Sequence, residues 1–306
     1  MSACYIAIDG GTTNTRVNYV RDGMILETVR LSYGSNPRDC KDLHGAIRDA
    51  ILELRGKYGD PLCVLGCGML TSEFGLSEVR HLTAPAGIAD LHGGIRRVCV
   101  PDVTDLPVCL VPGIKKSDGT FVGTDMMRGE ETELLGLVEK PESDCVYILP
   151  GSHSKIIHVD ERGRIDSIRT FLTGEMQVAL AGHTVLSGSV DIRQPILPEY
   201  LKMGYDYTSG HGLNEALLKI RIMDTQFKMP ADQIYSFFLG AILEGEIGEI
   251  IKVPQNRVVV GGQKQLKEAI CVLLEKLCEK EVIRLPDAAS DNASVIGMIR
   301  IFEFQA

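Results

Sequence analysis

The sequence predicts an α/β protein of two domains. The chain has 306 residues, enough for two domains at roughly 150 residues each. A strand–turn–strand–turn–strand pattern opens the chain and recurs near residue 145. Short apolar runs alternate elsewhere with segments of helical period, the signature of layered helices and sheet. With 44% hydrophobic and 24% charged residues, disorder and collagen-like architecture are excluded.

The opening unit reads "CYIAID", the polar turn "GGTTN", "TRVNYV", the tight turn "RDG", and "MILETV". A helix is expected near "KDLHGAIRDAILELRGKYG", because Leu43, Ile47, Ile51 and Leu54 recur at spacings of three and four. "PLCVLGCGM" reads as a buried strand. "VPGIKKSDGTFVGTD" reads as a mobile Gly/Lys/Asp connector near a domain boundary. In "CVYILPGSHSKIIHVDERGRIDSI" the opening pattern returns, with Gly151-Ser152-His153-Ser154 in the place of Gly11-Thr12-Thr13-Asn14. Either the architecture is duplicated or two unrelated hairpins share a pattern. Later, Val258-Val259-Val260 predicts a strand, Gly261-Gly262 a turn, and Leu266, Ile270, Leu273, Leu274 and Leu277 one face of a helix.

Lys and Arg total 32 against 41 Asp and Glu, a net charge of −9. No domain-wide basic surface exists, so no nucleic-acid partner is expected. No apolar run approaches the ~18 residues of a membrane span, so no membrane partner is expected either. "MSACYIAIDGG" lacks a basic leader followed by an apolar stretch, which points to the cytoplasm. Cys63, Cys67, Cys99 and Cys109 sit in apolar, strand-like runs and read as small buried hydrophobes. No second Cys/His pair with zinc spacing accompanies Cys63 and Cys67.

P-loop, dinucleotide and G-x-S-x-G signatures are all missing. In "IAIDGGTTNTR" a carboxylate, Asp9, ends an apolar strand. Gly10 and Gly11 allow a tight turn, and Thr12, Thr13 and Asn14 offer hydroxyl, amide and N–H donors. Such a turn can cradle phosphate, with Arg16 as a fixed cation. Asp9 repels phosphate but can hold hydrated Mg²⁺ against it through water. A plain surface hairpin is the competing reading. "LPGSHSK" offers a second hydroxyl turn with Ser152, His153, Ser154 and Lys155, and Gly261-Gly262 puts free N–H groups before a helix.

"VGTDMMRGEETELLGLVEK" reads as a loop entering a helix with Asp125 at its start. There the helix dipole favours the ionised carboxylate, which can take a hydroxyl proton. Thr124 or Asp125 could equally be only an N-cap. Arg128 and Glu131 crowd further charges into this turn. Thr173-Gly174-Glu175 reads as a helix start or a third phosphate-facing turn, and Asp291 as a cap or a nucleotide-facing group.

"IAIDGGTTNTR", "MRGEETELLG", "LPGSHSK" and "FLTGE", in this order, resemble the 2-dehydro-3-deoxygalactonokinase family of the sugar kinase/Hsp70/actin superfamily. The resemblance runs from the first strand to "SDNASVIGMIR". It implies two ribonuclease-H-like (actin-like ATPase) domains with ATP and Mg²⁺ in an interdomain cleft. The first, residues 1–135, would hold the sugar; the second, 136–306, would hold the nucleotide, with the C-terminal helix packing back on the first. "DGGTT" would be the first phosphate loop, Gly151–Lys155 the second, and Gly261-Gly262 the adenosine side. Asp125 would take the proton of the sugar's 6-hydroxyl while Arg16, Lys155 and Mg²⁺ steady the transferring phosphoryl charge. Asn14, Ser72, Arg128 and Glu131 would face the acceptor. The implied acceptor is 2-dehydro-3-deoxy-D-galactonate. One stretch departs from the family pattern: in "MLTSEFGLSEVRHLTAPAG", Ser72 and Gly75 remain but Leu76 replaces an expected Trp. Another keto-deoxy acid or a neutral sugar therefore stands beside the implied acceptor, and a nucleotide-dependent sensor or ATPase beside the kinase. Oligomeric state is left open.

Overall fold

The computed structural model describes residues 3–36 and 40–305. In chain order the strands are β1 Cys4–Gly10, β2 Thr15–Arg21, β3 Met24–Leu31, β4 Cys63–Gly68, β5 Leu82–Thr83, β6 Arg96–Val98, β7 Val108–Leu110, β8 Ile114–Lys116, β9 Asp125–Met127, β10 Cys145–Leu149, β11 Ser154–Val159, β12 Ile165–Phe171, β13 Arg257–Val260 and β14 Glu281–Arg284. The helices are α1 Cys40–Tyr58, α2 Ile88–Gly94, α3 Glu130–Leu137, α4 Thr173–His183, α5 Pro198–His211, α6 Leu213–Thr225, α7 Ala231–Lys252, α8 Lys264–Leu277 and α9 Asp287–Phe302. None of the described helices is long and apolar enough to cross a membrane.

The chain divides into two units. One comprises the chain to Ser143, His158–Ile168 and the stretch from Ala288; the other comprises Asp144–Ile157 and Arg169–Asp287. The main sheet of the first has the order β3-β2-β1-β4-β7-β6, and the five-stranded sheet of the second has the order β12-β11-β10-β13-β14. In both, a meander lays its first strand beside a parallel newcomer, β4 on β1 and β13 on β10. A further parallel strand follows, β7 or β14. The recurring sequence pattern is thus a repeated architecture, and the phosphate-like turns 11–14 and 150–153 join the first two strands of each meander.

Burial explains the elements. Ile6 and Ile8 point to one face of β1 and Ala7 to the other, and all three are fully buried, as a central strand covered on both faces requires. Leu43, Ile47, Ile51 and Leu54 form the buried stripe of α1 against that core. The second core centres on α7, which is buried almost all round, from Ile234 to Ile250. Burying each such aliphatic or aromatic side chain contributes about 1.5–3 kcal/mol.

Three expectations are corrected. "VPGIKKSDGTFVGTD", expected as a connector, carries strands at both ends: β8 and β9 pair antiparallel across it, with Lys116 opposite Asp125. Alternating Ile114 and Met127 bury one side of this small sheet, which gives the hairpin its anchor. Cys99 is exposed, whereas Cys63, Cys67 and Cys109 are core residues. Asp291 caps nothing, since it lies inside α9.

Candidate active site

In the first unit, the site grows from the carboxyl ends of β1 and β4, where open α/β sheets receive ligands. A Cβ on Gly68, whose φ is +69°, would stand 2.4 Å from the Gly10 carbonyl oxygen, and one on Gly10 would stand 2.5 Å from Leu70 Cγ. The two strand ends therefore meet backbone to backbone. The turn closes through Gly11 N–H to the Asn14 carbonyl at 2.8 Å. Thr13 and Asn14 are left exposed at its tip. Segment 34–36 supports it from behind: Ser35 N–H donates to the Gly11 carbonyl and the Asn36 amide to the Thr12 carbonyl.

Asp9 Oδ2 accepts from Arg16 at 2.5 Å. Arg16 is also tied to the Asp291 carbonyl on α9 at 3.1 Å. The Asp9 side chain is 18% exposed, so it keeps a wet face beside the turn. Glu133 on α3 feels the same charges. Burial first, then Glu130 and Asp9, push its carboxyl up to about 8.

Four expected site residues have partners within the chain. Asp125 is not at a helix start. It opens β9, accepts from Met126 N–H, and precedes α3, whose first residue is Glu130. The dipole argument belongs to the Glu130–Glu133 turn, because Gly129 at φ +117° breaks the chain direction after β9. Arg128 donates to the Thr71 carbonyl and hydroxyl and the Val79 carbonyl, and contacts His81 Nδ1. Its guanidinium thus clamps the 71–81 segment. Glu131 is fully buried, with both oxygens accepting from Gly129 N–H and one from the Thr132 hydroxyl. Burial pushes it up to about 7. Ser72 donates to the Met69 carbonyl at 2.7 Å. Leu76, at the position of the expected Trp, is packed into the core.

In the second unit, three turns gather at the carboxyl ends of β10 and β13. Gly261 N–H donates to the Ile148 carbonyl and Gln263 N–H to the Pro150 carbonyl, both at 2.9 Å. Gly262 has φ +70°, and a Cβ there would stand 2.5 Å from the Pro150 oxygen. The Gly261-Gly262 turn is therefore seated on the residue before Gly151. On the other side, a Cβ on Gly174 would stand 2.3 Å from the Gly151 oxygen, and Glu175 N–H donates to the Ser152 carbonyl. Thr173 begins α4, so its segment is a helix start. His153 Nε2 lies 2.9 Å from Glu175 Oε2, a partner the sequence did not reveal. Ser152 is exposed, Ser154 is buried, and Lys155 is buried with Nζ donating to Thr170 at 2.9 Å.

Sequence reasoning missed Gly34–Asn36, Glu133 and Glu246. The last had no distinct signal: "SFFLGAILEGEIGEI" carries Glu244, Glu246 and Glu249, and spacing does not say which of them is buried.

The profile of the family described as 2-keto-3-deoxy-galactonokinase matches residues 9–301. The chain is 26% identical to the 2-dehydro-3-deoxygalactonokinase of Escherichia coli (strain K12) over 257 residues, 82% of this chain and 81% of that protein. It is 30% identical to the probable 2-dehydro-3-deoxygalactonokinase DgoK1 of Rhizobium meliloti (strain 1021) over 188 residues, which is 61% of this chain and spans only 59% of that relative's length. A crystal structure of a Sinorhizobium meliloti protein whose name carries the same activity superposes with a TM-score of 0.79, covering 99% of this chain and 98% of that one at 22% identity. Ligand-bound xylulose kinase from Lactobacillus acidophilus gives 0.51 at 10% identity, covering 98% and 89%. These two likenesses establish the fold, two actin-like α/β domains. The chain belongs to the 2-keto-3-deoxy-galactonokinase family, a family of carbohydrate kinases.

Proposed function

We propose that the protein transfers the γ-phosphoryl group of ATP to the 6-hydroxyl of 2-dehydro-3-deoxy-D-galactonate. The observation that carries this reading is the family match over residues 9–301, and the donor-rich turns at 11–14 and 151–154 supply a chemical reason for it. The acceptor oxygen attacks the γ-phosphorus, the bond to the β–γ bridging oxygen breaks, and ADP leaves. Asp125 takes the hydroxyl proton. Arg16, held charged and in place, neutralises charge on the phosphates. N–H and hydroxyl groups of Thr12, Thr13 and Ser152 and the amide groups of Asn14 bind phosphate oxygens.

Mg²⁺ fits the donors at the end of β1. A partly exposed, hard carboxylate oxygen beside a phosphate-type turn suits an ion that binds one or two carboxylates, phosphates and several waters. Asp9 would hold it through water, and the ion would supply charge neutralisation on the polyphosphate. ATP and a sugar acid are the proposed small-molecule partners.

ADP release, measured with ATP, Mg²⁺ and a panel of keto-deoxy acids and neutral sugars, tests the reading. Turnover is expected to be highest with 2-dehydro-3-deoxy-D-galactonate. Equal or greater turnover with a different acceptor reassigns the substrate, and ADP release that ignores every acceptor replaces the kinase with an ATPase.

A further inference from the structure

α7 carries one carboxylate into the interior of the second unit. Glu246 is 1% exposed. Its Oε2 accepts from the hydroxyl of Thr173, the first residue of α4. Its Oε1 is buried without a hydrogen-bond partner, and so is the hydroxyl of Ser154, the first residue of β11. A carboxylate in an apolar core is costly unless its oxygens are satisfied. Here burial raises the carboxyl, and the bonded Thr173 hydroxyl counters it in part. The Thr173 and Ser154 hydroxyls belong to segments that face the 151–155 turn. Thr173 leads directly into Gly174, which touches the Gly151 backbone, and into Glu175, which bonds Ser152 and His153. Ser154 ends the turn itself.

The three segments have no covalent reason to move together. β10–β11 and α4 are separated by β12, and α7 lies about 70 residues further along the chain (Thr173 to Glu246 is 73). Glu246 bonds the first residue of α4 from a helix remote in sequence. We propose that Glu246 is a positioning residue for nucleotide binding: through its bond to Thr173 it fixes the first turn of α4, which is seated on the 151–155 turn, as one rigid phosphate-facing platform. This role rests on the kinase reading only through ATP.

The test uses the full chain, with calorimetric titration of ATP, acceptor KM and amide exchange. Glu246→Ala is expected to weaken ATP about tenfold or more. It is expected to leave the KM for 2-dehydro-3-deoxy-D-galactonate unchanged and to speed exchange at 152–155 and 173–175 but not in α8. Glu246→Gln keeps an acceptor for Thr173 and is expected to bind ATP within about threefold of wild type. Should Glu246→Ala not fold, Thr173→Val removes the bonded hydroxyl alone and is expected to reproduce the split. ATP binding equal to wild type in these variants overturns the proposal. So does a parallel loss of ATP and acceptor affinity that tracks a fall in Tm. A wild-type protein that binds ATP yet phosphorylates no keto-deoxy acid refutes the acceptor assignment alone, and the titration and exchange still decide Glu246. A wild-type protein that binds no ATP refutes both.

Discussion

Arg16 holds Asp9 at 2.5 Å and the Asp291 carbonyl at 3.1 Å with the same guanidinium. The cation beside the first turn is therefore fixed from two sides, by β1 and by α9. Burial works against its charge, but Asp9 outweighs that effect and raises the pKa above the usual arginine value. A fork held in advance of binding can stabilise phosphoryl charge without reorganising.

Arg16→Ala should therefore cost about 100- to 1,000-fold in kcat/KM. Arg16→Lys keeps the charge but loses the fork, and should fall between the two proteins. Steady-state ADP release checks both, and an Arg16→Ala variant that turns over like wild type removes Arg16 from the mechanism.

Asp125→Asn should lower kcat by about 100- to 10,000-fold with ATP binding nearly unaltered, because it removes a proton acceptor and little else. Asp125 opens β9, five residues before α3, so its competitor is the acid that does begin the helix, Glu130. Glu130 accepts from Arg128 N–H at 2.9 Å, which is a role in shaping the turn. Glu130→Gln is expected to retain more activity than Asp125→Asn. The reverse ranking moves the base onto α3.

The sheets were legible because their signal is local. Val258–Val260 and "CYIAID" are apolar runs ended by glycine, and Leu43–Leu54 keep a helical stripe, so period and punctuation suffice. The repeated meander could be read for the same reason. The side-chain assignments around residue 128 could not. "MRGEET" shows which charges are present, but burial decides which face water. Glu131 is turned onto Gly129 N–H, and Arg128 onto carbonyls 49 and 57 residues away. Lys155 likewise follows a polar, hydroxyl-bearing turn in sequence yet lies buried against Thr170. Such partners are set by tertiary packing, which leaves no mark in spacing.

Arg128 provides a sharp test of that difference. If it gripped the acceptor carboxylate, Arg128→Ala would raise the acceptor KM and spare stability. The structure instead has it bonding Thr71, Val79 and His81. Truncation leaves buried carbonyls without donors and should cost about 2–4 kcal/mol of stability. A lowered denaturation midpoint, with no change confined to acceptor KM, is the expected outcome. An unchanged midpoint with a raised acceptor KM returns Arg128 to the substrate.

Glu246 also makes a prediction about pH that needs no substrate. Burial pushes its carboxyl up from 4.5 to about 7 in the folded protein. The folded state therefore holds a proton that the unfolded chain has released between those two values. Because the unfolded state binds fewer protons there, the stability of the second unit falls as pH rises through this window. The contribution is fully present below pH about 4.5 and lost above about 7. Its size is on the order of 3 kcal/mol, since each tenfold change in proton affinity is worth about 1.4 kcal/mol. Glu246→Gln carries no titrating group, so its denaturation midpoints should decline less than those of wild type between pH 5 and 8. Urea unfolding at several pH values, followed by amide exchange in α7, separates this unit from the first, where Glu131 and Glu133 titrate in the same direction. Parallel curves for wild type and Glu246→Gln would mean that this carboxyl is already ionised at pH 5 despite its burial.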